Sequence, residues 1–179
     1  MTGPRGRLAT PADWPEVAEL RHRVFVQEQG VPAELERDAA DATAVHALSR
    51  DDAGRVVATG RLLPDAAGPG RAVIGRMAAD SRVRGRGHGA AVLAVLHEEA
   101  LARGQTAVEL HAQVTARRFY ERAGYAAVGA EYLEAGITHV TMARELVAED
   151  GARETVQGSG VDVTDRSASS GTRPVRPPE

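Results

Sequence analysis

Arg84-Gly85-Arg86-Gly87-His88-Gly89 joins a strand-like stretch ending near Ala79 to an amphipathic, helix-like stretch beginning near Gly87. Glycine tolerates the tight turns that bring main-chain N–H groups together. The first turn of a helix leaves its own N–H groups unpaired and carries about half a positive charge. A segment built this way is suited to an anion, and phosphate oxygens are common occupants. Arg82, Arg84 and Arg86 flank the same point and can add charge-assisted hydrogen bonds, so the expectation is a pyrophosphate-binding loop.

Spacing removes alternatives. A Walker A loop requires Gly-Lys before Ser or Thr, and the chain contains no lysine. A dinucleotide fingerprint requires G-x-G-x-x-G inside a βαβ unit, whereas the glycines here run G-x-G-x-G after antiparallel-looking strands. Taken alone, RGRGHG fits a solvated turn equally well, so its surroundings must decide.

Upstream, a short strand is expected at Arg7 to Ala9 and a helix through Glu16 to Gln27. Asp13 suits the N-cap, which places Pro15 in the first turn and Glu16 at the capping-box position. Val17, Leu20 and Val24 then share one face. Glu28 to Ala44 is an acidic connection with room for one short helix, long against the ~4–6 residues of a typical ordered loop. Strands follow at Val45 to Arg50 and Arg55 to Leu63 around a hairpin turn at Asp52-Ala53-Gly54. A third, Ala72 to Ala79, follows the turn Pro64 to Gly70. Downstream, a helix from Gly87 to Arg103 stops at Gly104 and puts Leu93, Leu96 and Ala100 in the core. Strand Thr106 to His111, helix Ala116 to Ala123 stopped by Gly124, and a hairpin of Ala126 to Glu131 with Ile137 to Arg144 complete the order.

The chain has 179 residues, 42% of them hydrophobic, enough for one domain with a proper core, here residues 1 to 146. From Val147 to Glu179 the composition turns to Gly, Ser, Thr, Arg and Pro without periodicity, and a disordered tail is expected. A formal net charge of -3 gives no basic footprint for nucleic acid, so none is expected as a partner. With no cysteine there is no disulfide framework, thiolate-bound metal or cysteine nucleophile. The six histidines show no metal-ligand spacing, so no metal is expected. His46 reads as a strand residue, His97 as a helix-surface residue and His88 as the variable position of the loop, while His111 and His139 fall near strand ends. No apolar run approaches the ~18 residues of a membrane span, and the N-terminus has no secretory pattern. No membrane partner and a cytoplasmic location are therefore expected.

Several stretches together resemble the GNAT (Gcn5-related N-acetyltransferase) superfamily. Arg84 to Gly89 fits its [Arg/Gln]-x-x-Gly-x-[Gly/Ala] loop, and Met77-Ala78-Ala79 stands five residues before the loop arginine. Gln113, Ala116, Phe119-Tyr120 and Gly124-Tyr125 follow its second signature, with Gln113 in place of asparagine and Tyr125 in place of phenylalanine. Tyr125 packs there if its hydroxyl finds a partner. RHRVFVQEQGV at Arg21 to Val31 and Glu134-Ala-Gly-Ile-Thr-His139 resemble the ElaA-like and YjcF-like branch.

The resemblance implies an α/β (α+β) fold: a central mixed sheet of six to seven strands flanked by about four helices, in which Ala72 to Ala79 and Thr106 to His111 run parallel and splay apart. It implies acetyl-CoA as co-substrate, no metal, and acetyl transfer to a primary amine of a small molecule or peptide by direct attack in a ternary complex. Met77, Ala78, Ala79, Arg84, Gly85, Arg86, Gly87, His88, Gly89 and Gln113 are the cofactor-binding candidates. Tyr120 is the candidate general acid beside the CoA sulfur; packing with Ala116, Phe119 and Ala123 is its alternative role. Glu28, Glu109 and His111 are candidate bases. Arg61 and Arg76 are expected to pair with carboxylates or meet substrate. Glu28, Glu34, Glu36, Asp38 and Asp41 face only Arg37 within their loop, which suggests attraction of a cationic amine. A longer acyl donor, or a non-catalytic acyl-CoA-binding module, fits the same motifs. The acceptor's identity and homodimer formation stay open.

Overall fold

Strand and helix patterns emerge with nearly the bounds that the sequence suggests in a computed structural model, which describes residues 3–147. The elements are β1 (Gly6–Leu8), α1 (Trp14–Arg21), α2 (Ala33–Glu36), β2 (Val45–Arg50), β3 (Val56–Leu63), β4 (Arg71–Ala79), α3 (His88–Ala102), β5 (Ala107–Gln113), α4 (Arg117–Arg122), β6 (Ala126–Glu134) and β7 (Ile137–Glu145). The strands form one seven-stranded sheet in the order β1-β2-β3-β4-β5-β7-β6. Every neighbouring pair is antiparallel except β4 and β5. This is the mixed, helix-flanked sheet implied by the resemblance. Of the expected tail only Val147 is described; the rest lies outside the described residues.

Both faces of the sheet carry helices. Ala47 and Leu48 are successive, so they point to opposite faces. Ala47 joins a core in which Val92, Leu93, Leu96 and Ala100 of α3 meet Leu62, Ile74, Val108, Leu110 and Met142. Leu48 joins a second cluster with Val17, Leu20 and Val24. Each fully buried leucine or valine contributes roughly 1.5–3 kcal/mol, so the two layers hold the central strands firmly. Among the described residues, no helix is long and apolar enough to cross a membrane.

The helix start differs from the expectation. Thr10 caps a 3-10 turn, Pro11–Asp13, and the capping box runs from Thr10 to Asp13 instead of from Asp13 to Glu16. The Asp13 carboxylate accepts from Thr10 N–H and from Arg7 and Arg50, and the Arg7 guanidinium foremost holds it far below the usual carboxylate range. Glu16 pairs with Arg50 instead. Beyond α1 the helix continues as a wider π-helical segment, His22–Glu28.

The feature that positions the site is a parting of strands. Parallel pairing of β4 with β5 runs only from Arg71↔Ala107 to Ile74↔Leu110. Past that point β4 stays with β3, as Thr59↔Ala78 and Ala58↔Ala79, while β5 stays with β7 as far as Gln113↔His139. A bulge in β4 causes the divergence. Its register against β3 shifts between Thr59 and Arg61, and Arg76 carries φ +52, a conformation that non-glycine residues rarely adopt. Gly60 lies opposite, where a Cβ would collide with the Met77 sulfur and Leu96.

Candidate functional site

The parted strands open onto a cavity of about 680 Å³, within the ~300–1,000 Å³ of small-molecule sites. Gly75 to Ala79 form one wall, Leu110, His111 and Gln113 of β5 the other, and Tyr120, Ile137 and His139 also line it.

On the β4 wall the backbone is exposed by geometry. Asp80 N–H donates to Val57 O at 2.9 Å, so Ala78, two residues back, also faces β3. Alternation along an antiparallel strand then turns the N–H and C=O of Ala79, and of Met77 beyond it, toward the gap. Arg84 Nε donates to that Ala79 carbonyl at 3.1 Å.

The glycine loop follows this wall in the chain, and of its residues only Arg84 lines the cavity. Arg86 N–H donates to Val83 O at 3.1 Å, and Gly85 and Gly87 take φ +78 and +92, which a side chain would strain. Gly87 is the N-cap of α3, a helix of 15 residues. Among the described residues, the N–H groups of Gly85 and Gly87 meet no protein acceptor. Two of the three flanking arginines are engaged elsewhere. Arg82 turns to Asp80, with bonds of 2.9 and 2.8 Å. Arg84 makes a two-pronged pair with Glu28 at 2.5 and 2.8 Å. His88 is also corrected: its ring is buried, with Nδ1 2.8 Å from Ser49 Oγ, so only its main chain belongs to the loop. Gly89 lies against the Phe119 ring, at a separation where a Cβ would make an ordinary contact.

Tyr120 is packed in the core and also borders the cavity. It is 7% exposed and packs edge-on against Phe119 and Tyr125, with ring centroids 4.9 and 5.8 Å apart, yet it borders the cavity. Burial pushes its phenol well above the ordinary tyrosine value, so it is a proton donor throughout the neutral range. The Tyr125 hydroxyl does find a partner, His97 Nε2 at 2.7 Å. His97 is therefore not the surface residue expected. Arg144, which can only donate, lies 3.2 Å from His97 Nδ1, so Nε2 carries the ring proton. Burial, helped by the Arg144 charge, pushes the His97 pKa down to about 4.

The base candidates fare unequally. Glu28 is ion-paired with Arg84, which lowers its proton affinity, and it does not line the cavity. Glu109 sits in the closed part of the sheet, opposite Val73 and Ala143, and is also off the cavity. His111 does line it, its Nδ1 against the Tyr132 hydroxyl. Gln113 donates to Gln29 Oε1 at 2.7 Å, joining β5 to the turn after the π-helical segment.

The acidic loop is not the free negative patch suggested by its composition. Arg21, only 1% exposed, binds Glu36 and Asp41. Arg61 binds Asp38 and Asp41 at 2.8 Å, and Arg76 reaches Asp38 at 3.2 Å. Arg61 and Arg76 thus pair with carboxylates. These partners come from distant strands and a helix, so counting charge along the loop missed them. Among the described residues, no group of three His, Asp or Glu is placed to hold a metal.

Comparison with known proteins agrees with this geometry. A profile described as the acetyltransferase (GNAT) domain matches residues 13–146. The chain is similar to the uncharacterized N-acetyltransferase YjcF of Bacillus subtilis, 32% identical over 127 residues, 70% of this chain and 88% of that protein. Among solved structures it is similar to an acyl-CoA N-acyltransferase from Pseudomonas aeruginosa, with 32% identity, TM-score 0.68 and coverage of 79% of this chain and 99% of that one. Escherichia coli ElaA superposes with TM-score 0.69 at 27% identity, again over 79% of this chain and 99% of that one.

Proposed function

Because the chain belongs to the GNAT acetyltransferase family and is an acyltransferase, we propose that it moves an acetyl group from acetyl-CoA to a primary amine by direct attack in a ternary complex, with residues 1–146 as the catalytic unit. The observation that carries this is the parting of β4 from β5 beyond Ile74 and Leu110, with bare main-chain groups on one wall and Tyr120 in the floor.

The residues fit a co-substrate with an anionic diphosphate and an amide-bearing arm. The unpaired N–H groups of Gly85 and Gly87, with those of His88 and Gly89 at the start of α3, suit the diphosphate. Arg86 adds positive charge there, and Arg84 is within reach of the Ala79 carbonyl at the inner end. The gap-facing N–H and C=O groups of Met77 and Ala79, flanking Ala78, suit the amides as an added strand would. Gln113 presents its side-chain amide from the opposite wall.

Acyl-CoA supplies the thioester carbon to be attacked and the thiol that leaves. A backbone N–H in the Met77 to Ala79 stretch, aimed at the thioester oxygen, stabilises the tetrahedral oxyanion by ~3–4 kcal/mol. Tyr120 then donates its phenolic proton to the departing sulfur. Its high pKa is matched to that task, because the burial that disfavours phenolate equally raises the proton affinity of a thiolate beside it.

Calorimetry with CoA, followed by thiol release from acetyl-CoA against a panel of small amines and peptides, tests this. Micromolar binding with amine-dependent release is expected. Absence of CoA affinity removes the proposal, and binding without release across the panel leaves a non-catalytic acyl-CoA-binding protein.

A further inference from the structure

We propose that His139 is the base that accepts the proton of the attacking amine, a role that rests on the acetyl-transfer reading above. His139 lies on β7, in register with Gln113 of β5 on one side and Tyr132 of β6 on the other, and its half-buried ring lines the cavity. Its Nδ1 is 2.8 Å from the carbonyl oxygen of Ile137. A carbonyl can only accept, so the neutral ring must carry its proton on Nδ1 and present Nε2 as a lone pair. Among the described residues, no protein group occupies Nε2. The Tyr132 ring stacks on the imidazole at 6.0 Å and 22°, fixing its plane. A base needs its tautomer, its orientation and its lone pair settled beforehand, and His139 has all three.

The other groups around the cavity lack one or more of these. Tyr132 faces His139, and its hydroxyl meets Nδ1 of His111. A phenol is the stronger acid of that pair and donates, which puts the remaining His111 proton on Nε2 and leaves no lone pair for an amine. Glu134, at the end of β6, lines the cavity but is exposed, and no hydrogen bond to a described residue fixes its carboxylate. On the facing wall Glu36 is held by Arg21, while Arg61, Arg76 and Arg84 are cations that cannot accept a proton.

In the reaction the amine nitrogen bonds to the thioester carbon as the carbonyl pair moves onto oxygen, and the proton on nitrogen passes to His139 Nε2. When the oxyanion collapses the C–S bond breaks, its electron pair stays on sulfur, and sulfur takes the Tyr120 proton. The products are the N-acetyl amide and the free thiol. His139 releases its proton to solvent and Tyr120 regains one.

His139→Asn separates this role from a structural one, because the asparagine amide can still donate to Ile137 O but has no basic nitrogen. The expected result is a fall in kcat of about 10²–10³-fold, the range of general-base catalysis, with CoA affinity by calorimetry and Tm near the parent values. The acid limb of the kcat/KM profile should disappear, and added imidazole should restore part of the rate. His139→Gln, measured in parallel in case the shorter side chain melts early, carries the same expectation. Near-parental turnover in either variant overturns the role of His139 while acetyl transfer stands. A loss that tracks lowered Tm and resists imidazole overturns it too. Failure of the unmodified protein to release thiol with any amine removes both readings together.

Discussion

On the β1 to β4 side of the gap the interior polar groups, apart from Ser49 and Thr59, are mostly ions, whereas on the β5 to β7 side they are mostly neutral rings. Arg21, Arg61 and Arg76 are matched by Glu36, Asp38 and Asp41 in one network that ties α1, the loop and the bulged strand together. A guanidinium does not give up its proton, and Asp38 and Asp41, paired with Arg61, are held below the usual carboxylate range. Such a network fixes shape but cannot exchange protons. Across the gap, His97 with Tyr125, Tyr120 with Phe119, and His139 with Tyr132 supply groups whose protons can move. The gap thus separates an ionic frame from the wall that carries the proposed proton transfers.

The sharpest attack on this division is Arg21→Met. It strands Glu36 in the interior without its cation and leaves Asp41 to Arg61 alone, and breaking a buried pair from one side costs about 3–5 kcal/mol. For a domain of this size that corresponds to a Tm lower by roughly 10 °C, read by thermal melting. Thiol release per folded molecule should persist; an unchanged Tm would mean that the frame does not depend on its ions. Tyr120→Phe attacks the other side. Turnover should fall about 10²–10³-fold with CoA affinity and Tm nearly unchanged, and normal turnover would return Tyr120 to packing alone.

The subtlest difference is in acid. The folded His97 value of about 4 lies below the ordinary 6.5, so the unfolded chain binds more protons between those limits. Stability should therefore rise with pH from about 4 to 6.5 and level off above, by at most about 3 kcal/mol. The depressed carboxylates Asp13, Asp41 and Asp80 act with the same sign in the window below, their contribution full above their ordinary value near 4 and lost only as pH falls further. His97→Gln keeps an amide beside Tyr125 and should flatten the upper window alone, which unfolding curves at several pH values would reveal.

Periodicity made most elements legible, down to identical bounds for Val45 to Arg50. The glycine loop was legible because turn chemistry is local. The start of the first helix was not, since Thr10 to Asp13 and Asp13 to Glu16 both satisfy the capping pattern, and only the distant Arg7 and Arg50 decide between them. His97 looked like surface on its own helix and is covered by Tyr125 and Arg144 from elsewhere. The loop carboxylates likewise met partners that sequence distance conceals. At the site, Glu28 and Glu109 were plausible by residue type alone. Residue type cannot reveal which side chain faces a cavity, and the fixed tautomer of His139 depends on a carbonyl two residues away, at Ile137.

The bulge at Arg76 leaves the molecule with an unpaired strand edge in its middle. Whatever extended group lies along it is recognised by the spacing of amides, which is the same for every residue type. An exchange at Ala79 that keeps the strand alters the side chain but not the N–H and C=O that face the gap. That stretch is thereby insulated from point mutation, and drift there can reshape the surroundings while the means of recognition is inherited intact.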